Sequence, residues 1–189
     1  LAELIAEGCA PFVSHTPERI LDLCCGGGCI GILAAHQFPL ARVDLADLSA
    51  DALALARENV SLHTLADRVS LWQSNLFEAL EGRYDLMLSN PPYVPLDEVL
   101  ELPSEYSHEP SLGLISEDDG LAIPLQILRE APDYLSDGGV LVMEVGYSVE
   151  QLSARLAQVP LLWLEFAHGG EGVLAITRDD LLRYRDQFN

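Results

Sequence analysis

Asn90 stands before two prolines and an aromatic, in the order Ser89-Asn90-Pro91-Pro92-Tyr93. Two consecutive prolines forbid helix and cannot donate to a sheet ladder. The carbonyls around them have no neighbouring N–H from either residue. The result is a stiff corner rich in acceptors: Asn90 Oδ1, the Pro91 carbonyl and the face of Tyr93. Such a corner suits a substrate that presents an NH2 group. A strand-ending proline turn with Asn90 bonded to the backbone uses the same residues, so this stretch does not decide the chemistry by itself.

A second constellation lies upstream. Asp22-Leu23-Cys24-Cys25-Gly26-Gly27-Gly28 leaves an apolar run and enters a helical pattern. Glycine permits positive φ and close approach of a ligand to the backbone. Gly26, Gly28 and Gly31 satisfy Gly-x-Gly-x-x-Gly, and Asp47 ends the next apolar run, where a carboxylate can hold both ribose hydroxyls. Two cofactors meet this pattern. One is a nicotinamide dinucleotide. The other is S-adenosylmethionine, its ribose on Asp47 and its methionine part over the glycine turn near Asp22. Hydride transfer has no need of an acceptor-only corner at Asn90, whereas methyl transfer to an amide or amine nitrogen does. That difference favours S-adenosylmethionine.

Other reactive side chains carry less. Glu109 and Glu144 read as structural carboxylates, and no general base is assigned. His15, His36, His63, His108 and His168 show no metal-ligand spacing, so no metal site is expected. Cys9, Cys24, Cys25 and Cys29 lack a Cys-x-x-Cys pair and read as small buried residues in a reducing cytosol. Trp72 and Trp163 fall inside apolar strands and are expected in the core.

The elements that must position these groups follow from pattern. A helix is expected over 1–13, ending near Pro11, and strands over 19–24, 41–47, 69–73 and 84–89. Residues 29–37 read as a helix with Ile30, Leu33 and Ala34 on one face. Ser49 is a candidate N-cap for a helix over 50–62 with an apolar stripe of Leu53, Ala56 and Val60. Residues 94–117 carry three prolines and no clean period, and a loop of that length is functional or disordered. A helix over 119–135 tolerates Pro124 only near its start. Asp137-Gly138-Gly139 reads as a turn before a strand over 140–145, and 149–157 as a helix. Strands over 161–167 and 173–177 flank Gly169-Gly170-Glu171-Gly172 as an antiparallel hairpin. A short helix over 179–187 closes the chain. The alternation of strands and helices predicts an α/β fold, with a mostly parallel sheet covered on both faces. In such a sheet ligands sit beyond the carboxyl ends of the strands at the switch point. Both unusual stretches fall there. The closing hairpin favours a Rossmann-like seven-stranded methyltransferase sheet over the dinucleotide fold.

Composition narrows the partners. The 189 residues suit one domain. Thirty acidic residues against ten basic ones give a formal charge of −20, and every basic residue is Arg. That balance opposes direct binding to nucleic acid and favours encounter with a basic protein. No apolar run is long enough to span a bilayer, and no signal-peptide pattern is present. The expected location is cytoplasmic. No pattern specifies an oligomeric state.

Taken together, Asp22 to Gly28, Asp47 and Asn90-Pro91-Pro92-Tyr93 resemble the class I S-adenosylmethionine-dependent methyltransferases that act on glutamine side-chain nitrogen. The segment from Leu102 to Pro110, with Leu112-Gly113-Leu114 and Asp119-Gly120-Leu121, is most similar to the branch that methylates large-subunit ribosomal protein three. Trp163-Leu164-Glu165-Phe166 and Gly169 to Val173 resemble it too. The likeness covers essentially the whole chain, although the Asn-Pro-Pro-Tyr box is shared with DNA adenine methyltransferases. It implies Asn90, Pro91 and Tyr93 as catalytic residues. It implies Asp22, Cys24, Gly26, Gly28, Asp47, Asn75 and Asn90 as residues that hold S-adenosylmethionine, and a basic ribosomal protein as substrate. It also implies an N-terminal helical docking domain. Leu1, Leu4 and Ile5 sit at helical spacing with no Met before them, so residues 1–189 read as a catalytic domain cut from a longer protein. Two departures stand out. Gly27 replaces the usual Ser or Thr, and Asn75 replaces a common Asp. The rival readings are a release-factor glutamine methyltransferase, a DNA adenine methyltransferase and a non-catalytic cofactor-binding module.

Overall fold

A computed structural model of the chain describes residues 1–13, 15–92, 94–95, 115–116, 120–166 and 172–189, the first two short pieces as backbone only. Tyr93, Glu109, His108, His168, the 102–114 and 117–119 parts of the branch-specific segment and the hairpin turn at 169–171 lie outside the described residues.

Seven strands form one sheet in the order β3-β2-β1-β4-β7-β9-β8. They are β1 (Arg19–Leu23), β2 (Arg42–Asp47), β3 (Val69–Gln73), β4 (Tyr84–Ser89), β7 (Leu135–Glu144), β8 (Leu162–Leu164) and β9 (Val173–Thr177). The pairs β1·β2, β2·β3, β1·β4 and β4·β7 are parallel, and β9 runs antiparallel to both β7 and β8. The expected α/β sheet with a C-terminal antiparallel hairpin is the observed one.

Parallel strands covered on both faces read as nearly continuous apolar runs, and alternation sorts them into two cores. Ile20, Val43, Leu45, Leu86, Leu88, Val140 and Val142 pack with Leu4 and Ile5 of α1 (Ala2–Ala6), Ile32 and Ala34 of α2 (Cys29–Gln37) and Leu53, Ala56 and Val60 of α3 (Ala50–Leu62). Their sequence neighbours Leu21, Leu23, Met87, Leu141 and Met143 face the other way. They meet Leu125 and Leu128 of α4 (Ala122–Tyr134), Leu152 of α5 (Val149–Arg155) and Leu181 of α6 (Arg178–Arg183). Ser49 caps α3 as expected, its Oγ accepting the Ala52 N–H at 3.2 Å.

Several expectations give way to local geometry. The first helix stops at Ala6, because Gly8 and Cys9 adopt φ of 73° and 55°. Helix α2 buries Gly31, Ile32, Ala34 and Ala35, and leaves Ile30 and Leu33 partly buried. Asp137-Gly138-Gly139 is not a separate turn. It belongs to β7, where the register slips between Tyr84↔Leu135 and Leu86↔Val140. Within 94–117, β5 (Val94–Pro95) pairs in parallel with β6 (Ile115–Ser116). The last helix breaks after Arg183, and a 3-10 turn over Arg185–Phe188 follows. Trp72 is 39% exposed rather than core, because β3 is an edge strand of which only Val69 is buried. Trp163 is partly buried against the second core. Cys29 is exposed at the first turn of α2, and all four cysteines are free. Among the described residues no helix is long and apolar enough to cross a membrane.

Candidate functional site

The chain runs outward from β1 through β2 to β3, then returns to β4 on the other side of β1. The switch point therefore lies between β1 and β4, where a doubly wound sheet binds its ligand. Leu23 and Ser89 are register partners at the carboxyl ends of these two strands. The fully buried Ser89 also donates its hydroxyl to the Leu23 carbonyl at 2.8 Å. One residue beyond this double link, β1 becomes the glycine turn and β4 becomes Asn90. Sequence spacing of 66 residues thus becomes adjacency. Asn90 is exposed at this rim, Pro91 is buried and Pro92 is half-buried.

The turn itself is held from several sides. Cys24 adopts φ 60°, Gly26 φ 52° and Gly28 φ 80°. A non-glycine residue in that region costs about 1–3 kcal/mol, a strain typical of functional turns. The Cys25 N–H donates to the Ala46 carbonyl at 3.0 Å. The Gly26 N–H donates to Asp47 Oδ2 at 2.8 Å, and the Ser49 N–H donates to Asp47 Oδ1 at 2.8 Å. Asn59, on α3, donates its side-chain N–H to the Gly27 carbonyl at 2.9 Å. A Cβ at Gly26 would meet nothing within 4 Å, whereas one at Gly28 would come 2.9 Å from Leu45 Cδ1. Gly28 therefore packs the turn onto β2, and Gly26 leaves an open face.

Asp22 is fully buried on β1. Its Oδ2 accepts the Gly31 N–H at 2.7 Å, and its Oδ1 has no hydrogen-bond partner among the described residues. Burial pushes its carboxyl up to about 7; the Gly31 N–H opposes this and the nearby Asp47 charge adds to it. An orphaned buried acceptor is costly, and a donor or cation from a ligand would relieve that cost. Burial, with the charges of Asp47 and Asp22, pushes the Cys24 thiol up to about 12 and raises that of Cys25 as well. Neither thiol is a nucleophile at neutral pH.

The structure brings together Asp22, Cys24, Gly26, Gly28, Asp47, Asn90 and Pro91 at one end of the sheet. Asn75 begins the turn after β3, and its side-chain amide donates to Glu78 Oε1 at 2.9 Å. Glu144 ends β7, one residue beyond the Ser89↔Met143 pair. The sequence reading did not single out Asn59. Its bond to Gly27 spans 32 residues, and the only trace in the sequence is a polar residue next to Val60 of the apolar stripe. Among the described residues no group of three or more His, Cys, Asp or Glu could hold a metal ion. His36 and His63 are paired, with Nε2 and Nδ1 3.1 Å apart.

The observations fit S-adenosylmethionine. An open glycine face can accept close packing, and Asp22 Oδ1 wants a donor. Each Asp47 oxygen holds one backbone N–H and keeps a second lone pair for a hydroxyl.

A family model described as the methyltransferase small domain matches residues 5–100. The ribosomal protein uL3 glutamine methyltransferase of Francisella tularensis subsp. tularensis is 44% identical over 191 residues, covering 100% of this chain and 61% of that one. The protein of the same name from Bordetella pertussis is 45% identical over 184 residues, covering 96% of this chain and 62% of that one. The chain thus spans about three-fifths of the length of these curated relatives. Among solved structures, a methyltransferase from Pyrococcus furiosus aligns with a TM-score of 0.64 at 18% identity, over 92% of this chain and 82% of that one. A ribosomal protein L11 methylase from Lactobacillus delbrueckii subsp. bulgaricus aligns with a TM-score of 0.61 at 17% identity, over 93% and 74%. At such identity the structural likeness shows the fold alone: the seven-stranded Rossmann-like methyltransferase sheet.

Proposed function

Since the chain belongs to the methyltransferase small domain family, we propose that residues 1–189 form a catalytic unit that transfers a methyl group from S-adenosylmethionine to the side-chain amide nitrogen of a glutamine in a ribosomal protein. The observation that carries this reading is the Ser89–Leu23 link, which seats the exposed Asn90 one residue from the glycine turn.

When bound, S-adenosylmethionine supplies an electrophilic methyl on a sulfonium. Asp47 would hold the ribose hydroxyls, Asp22 Oδ1 would accept from the positively charged methionine part, and the open face of Gly26 would leave room for the cofactor to approach the backbone. Cys24, Gly28 and Asn75 complete the cofactor's surroundings, and Asn90 borders both cofactor and substrate. An amide nitrogen is a poor nucleophile because its lone pair is shared with the carbonyl. Asn90 Oδ1 and the Pro91 carbonyl accept its two N–H bonds, hold it still and make it more electron-rich. Positioning of this kind is worth roughly 7–11 kcal/mol of a barrier. Tyr93 is the residue that the resemblance offers to meet the cation with an aromatic face. The methylated amide sheds its extra proton to water, so no general base is needed.

A ribosomal protein as substrate is supported by the names of the two relatives and by charge. A surface of −20 attracts a basic polypeptide and repels DNA. A cytoplasmic location goes with that substrate, and four free cysteines support it.

The test incubates the protein as the cell makes it with labelled S-adenosylmethionine and unmodified ribosomal proteins, with release factors in a parallel arm, and maps the modified residue by mass. Label on a glutamine of a ribosomal protein is expected. Asn90→Ala should still bind cofactor and lose transfer. Equal transfer by Asn90→Ala and parent would overturn the clamp, and label only on release factors would overturn the substrate.

A further inference from the structure

Tyr147 is 93% exposed, the most exposed of the large apolar and aromatic residues described. It lies in the single 3-10 turn Gly146–Ser148 that leaves the carboxyl end of β7. Because Ser89 pairs with Met143, this turn begins three residues beyond the level at which β4 gives way to Asn90. Tyr147 therefore belongs to the same rim of the sheet as the proposed amide clamp.

The turn is fastened rather than loose. Val145 is fully buried, and its N–H donates to the Gly172 carbonyl at 2.7 Å. The Ser148 N–H donates to the Val145 carbonyl at 3.0 Å, and Ser148 is buried. Gly146 and Gly172 adopt φ of 48° and 77° and pack backbone to backbone; a Cβ on Gly172 would come 2.3 Å from the Gly146 oxygen. Buried neighbours thus flank one aromatic that contributes almost no burial to folding. A rigidly presented aromatic loses little entropy on contact with a partner, and such side chains dominate interface energetics.

We propose that Tyr147 is a substrate-binding residue that contacts the basic polypeptide segment flanking the reactive glutamine. The inference rests on the methyltransferase reading above. The occupant follows from continuity with the Asn90 rim and from charge: the chain carries −20, and Glu150 in the first turn of α5 is exposed three residues away. An exposed ring face attracts an Arg or Lys side chain by cation–π interaction, and an exposed carboxylate on the next helix adds ionic attraction.

The experiment compares parent, Tyr147→Ala and Tyr147→Phe in the whole protein. Tyr147→Ala should raise KM for the unmodified ribosomal protein by about fivefold or more, leave kcat at saturating substrate near parent, and leave the cofactor dissociation constant unchanged. Tyr147→Phe should restore KM. An unchanged KM in Tyr147→Ala, or a KM change matched by loss of cofactor binding, overturns the inference. Titration of the same ribosomal protein without turnover separates the two readings. If the parent transfers no methyl group to glutamine, the function falls, while weaker binding by Tyr147→Ala still supports the contact and equal binding still removes it.

Discussion

Gly31 and Leu45 lie so close that a Cβ on Gly31 would come 2.2 Å from Leu45 Cδ2. Helix α2 can rest on β2 at this depth only because residue 31 has no side chain. That depth brings the Gly31 N–H within 2.7 Å of Asp22 Oδ2. Gly31→Ala must push α2 off the buried Leu45, and overpacking of this kind costs about 1–3 kcal/mol. The urea midpoint should fall by the corresponding amount. Gly26→Ala makes the contrast, because its Cβ meets nothing within 4 Å. It should cost only the strain of a positive φ, about 1–2 kcal/mol, and yet weaken cofactor binding by filling the open face. Titration of both variants checks the pair, and parent-like affinity in Gly26→Ala would remove the cradle.

Asp22 sets a pH dependence of defined sign. Its carboxyl is raised from 3.8 to about 7, chiefly by burial. Between those values the unfolded chain releases a proton that the folded chain retains, so stability falls as pH rises through this window and levels off above it. Below it the contribution is fully present. Asp22→Asn removes the titration. Urea midpoints measured from pH 4 to 8 should therefore fall with pH in the parent relative to Asp22→Asn. Parallel curves would show that Asp22 titrates in its ordinary range. Asp85 works the other way. Burial pushes its carboxyl up, but the Ser136 hydroxyl and the N–H groups of Arg19 and Glu18 outweigh it and hold the group low. Its contribution is present above the ordinary carboxylate range and is lost on acidification.

Under the proposed function Asp47 serves both the fold and the ligand. Its two oxygens hold the Gly26 and Ser49 N–H groups, one from the glycine turn and one from the start of α3. Asp47→Ala leaves both donors without that acceptor, a loss of about 1.5–3 kcal/mol for a charge-assisted bond. It should also weaken cofactor binding at least about tenfold, the effect of 1.4 kcal/mol. Calorimetric titration at a temperature well below unfolding separates the two effects. An unchanged dissociation constant would take Asp47 off the ribose.

The strands β2, β4 and β9 and the helix α3 were legible because one pattern dominated each: buried apolar runs for the strands, and a capped stripe for α3. The placement of Asp22, Asp47 and Asn90 at one end of the sheet was legible because all three fall at or just beyond the carboxyl ends of predicted parallel strands. Helix α2 has apolar or small residues on every side until His36, so periodicity could not choose its buried face. Trp72 looked like core because apolar composition does not reveal that β3 is an edge. Asn59 to Gly27 and Ser89 to Leu23 are tertiary contacts across 32 and 66 residues, and no local pattern encodes them. The insertion at Asp137-Gly138-Gly139 has turn chemistry, but only pairing with β4 shows that the strand continues through it.

A polar cluster on the second-core face separates stability from ligand binding. Asp44 is buried, and its Oδ2 accepts Arg19 Nη2 at 2.9 Å and the Tyr84 hydroxyl at 2.9 Å. The Arg19 guanidinium also sits 4.7 Å from the centre of the Tyr84 ring. Arg19 and Tyr84 begin β1 and β4, at the end of the sheet opposite Asn90. Asp44→Ala leaves the buried Tyr84 hydroxyl without its acceptor and should cost about 1–3 kcal/mol. Removing the hydroxyl as well, with Tyr84→Phe in the same chain, should recover part of that loss, because the orphaned donor is then gone. Neither variant should alter cofactor affinity under conditions where the chain remains folded. If Asp44→Ala weakens binding while its unfolding midpoint stays at the parent value, the two ends of the sheet are coupled and this separation is wrong.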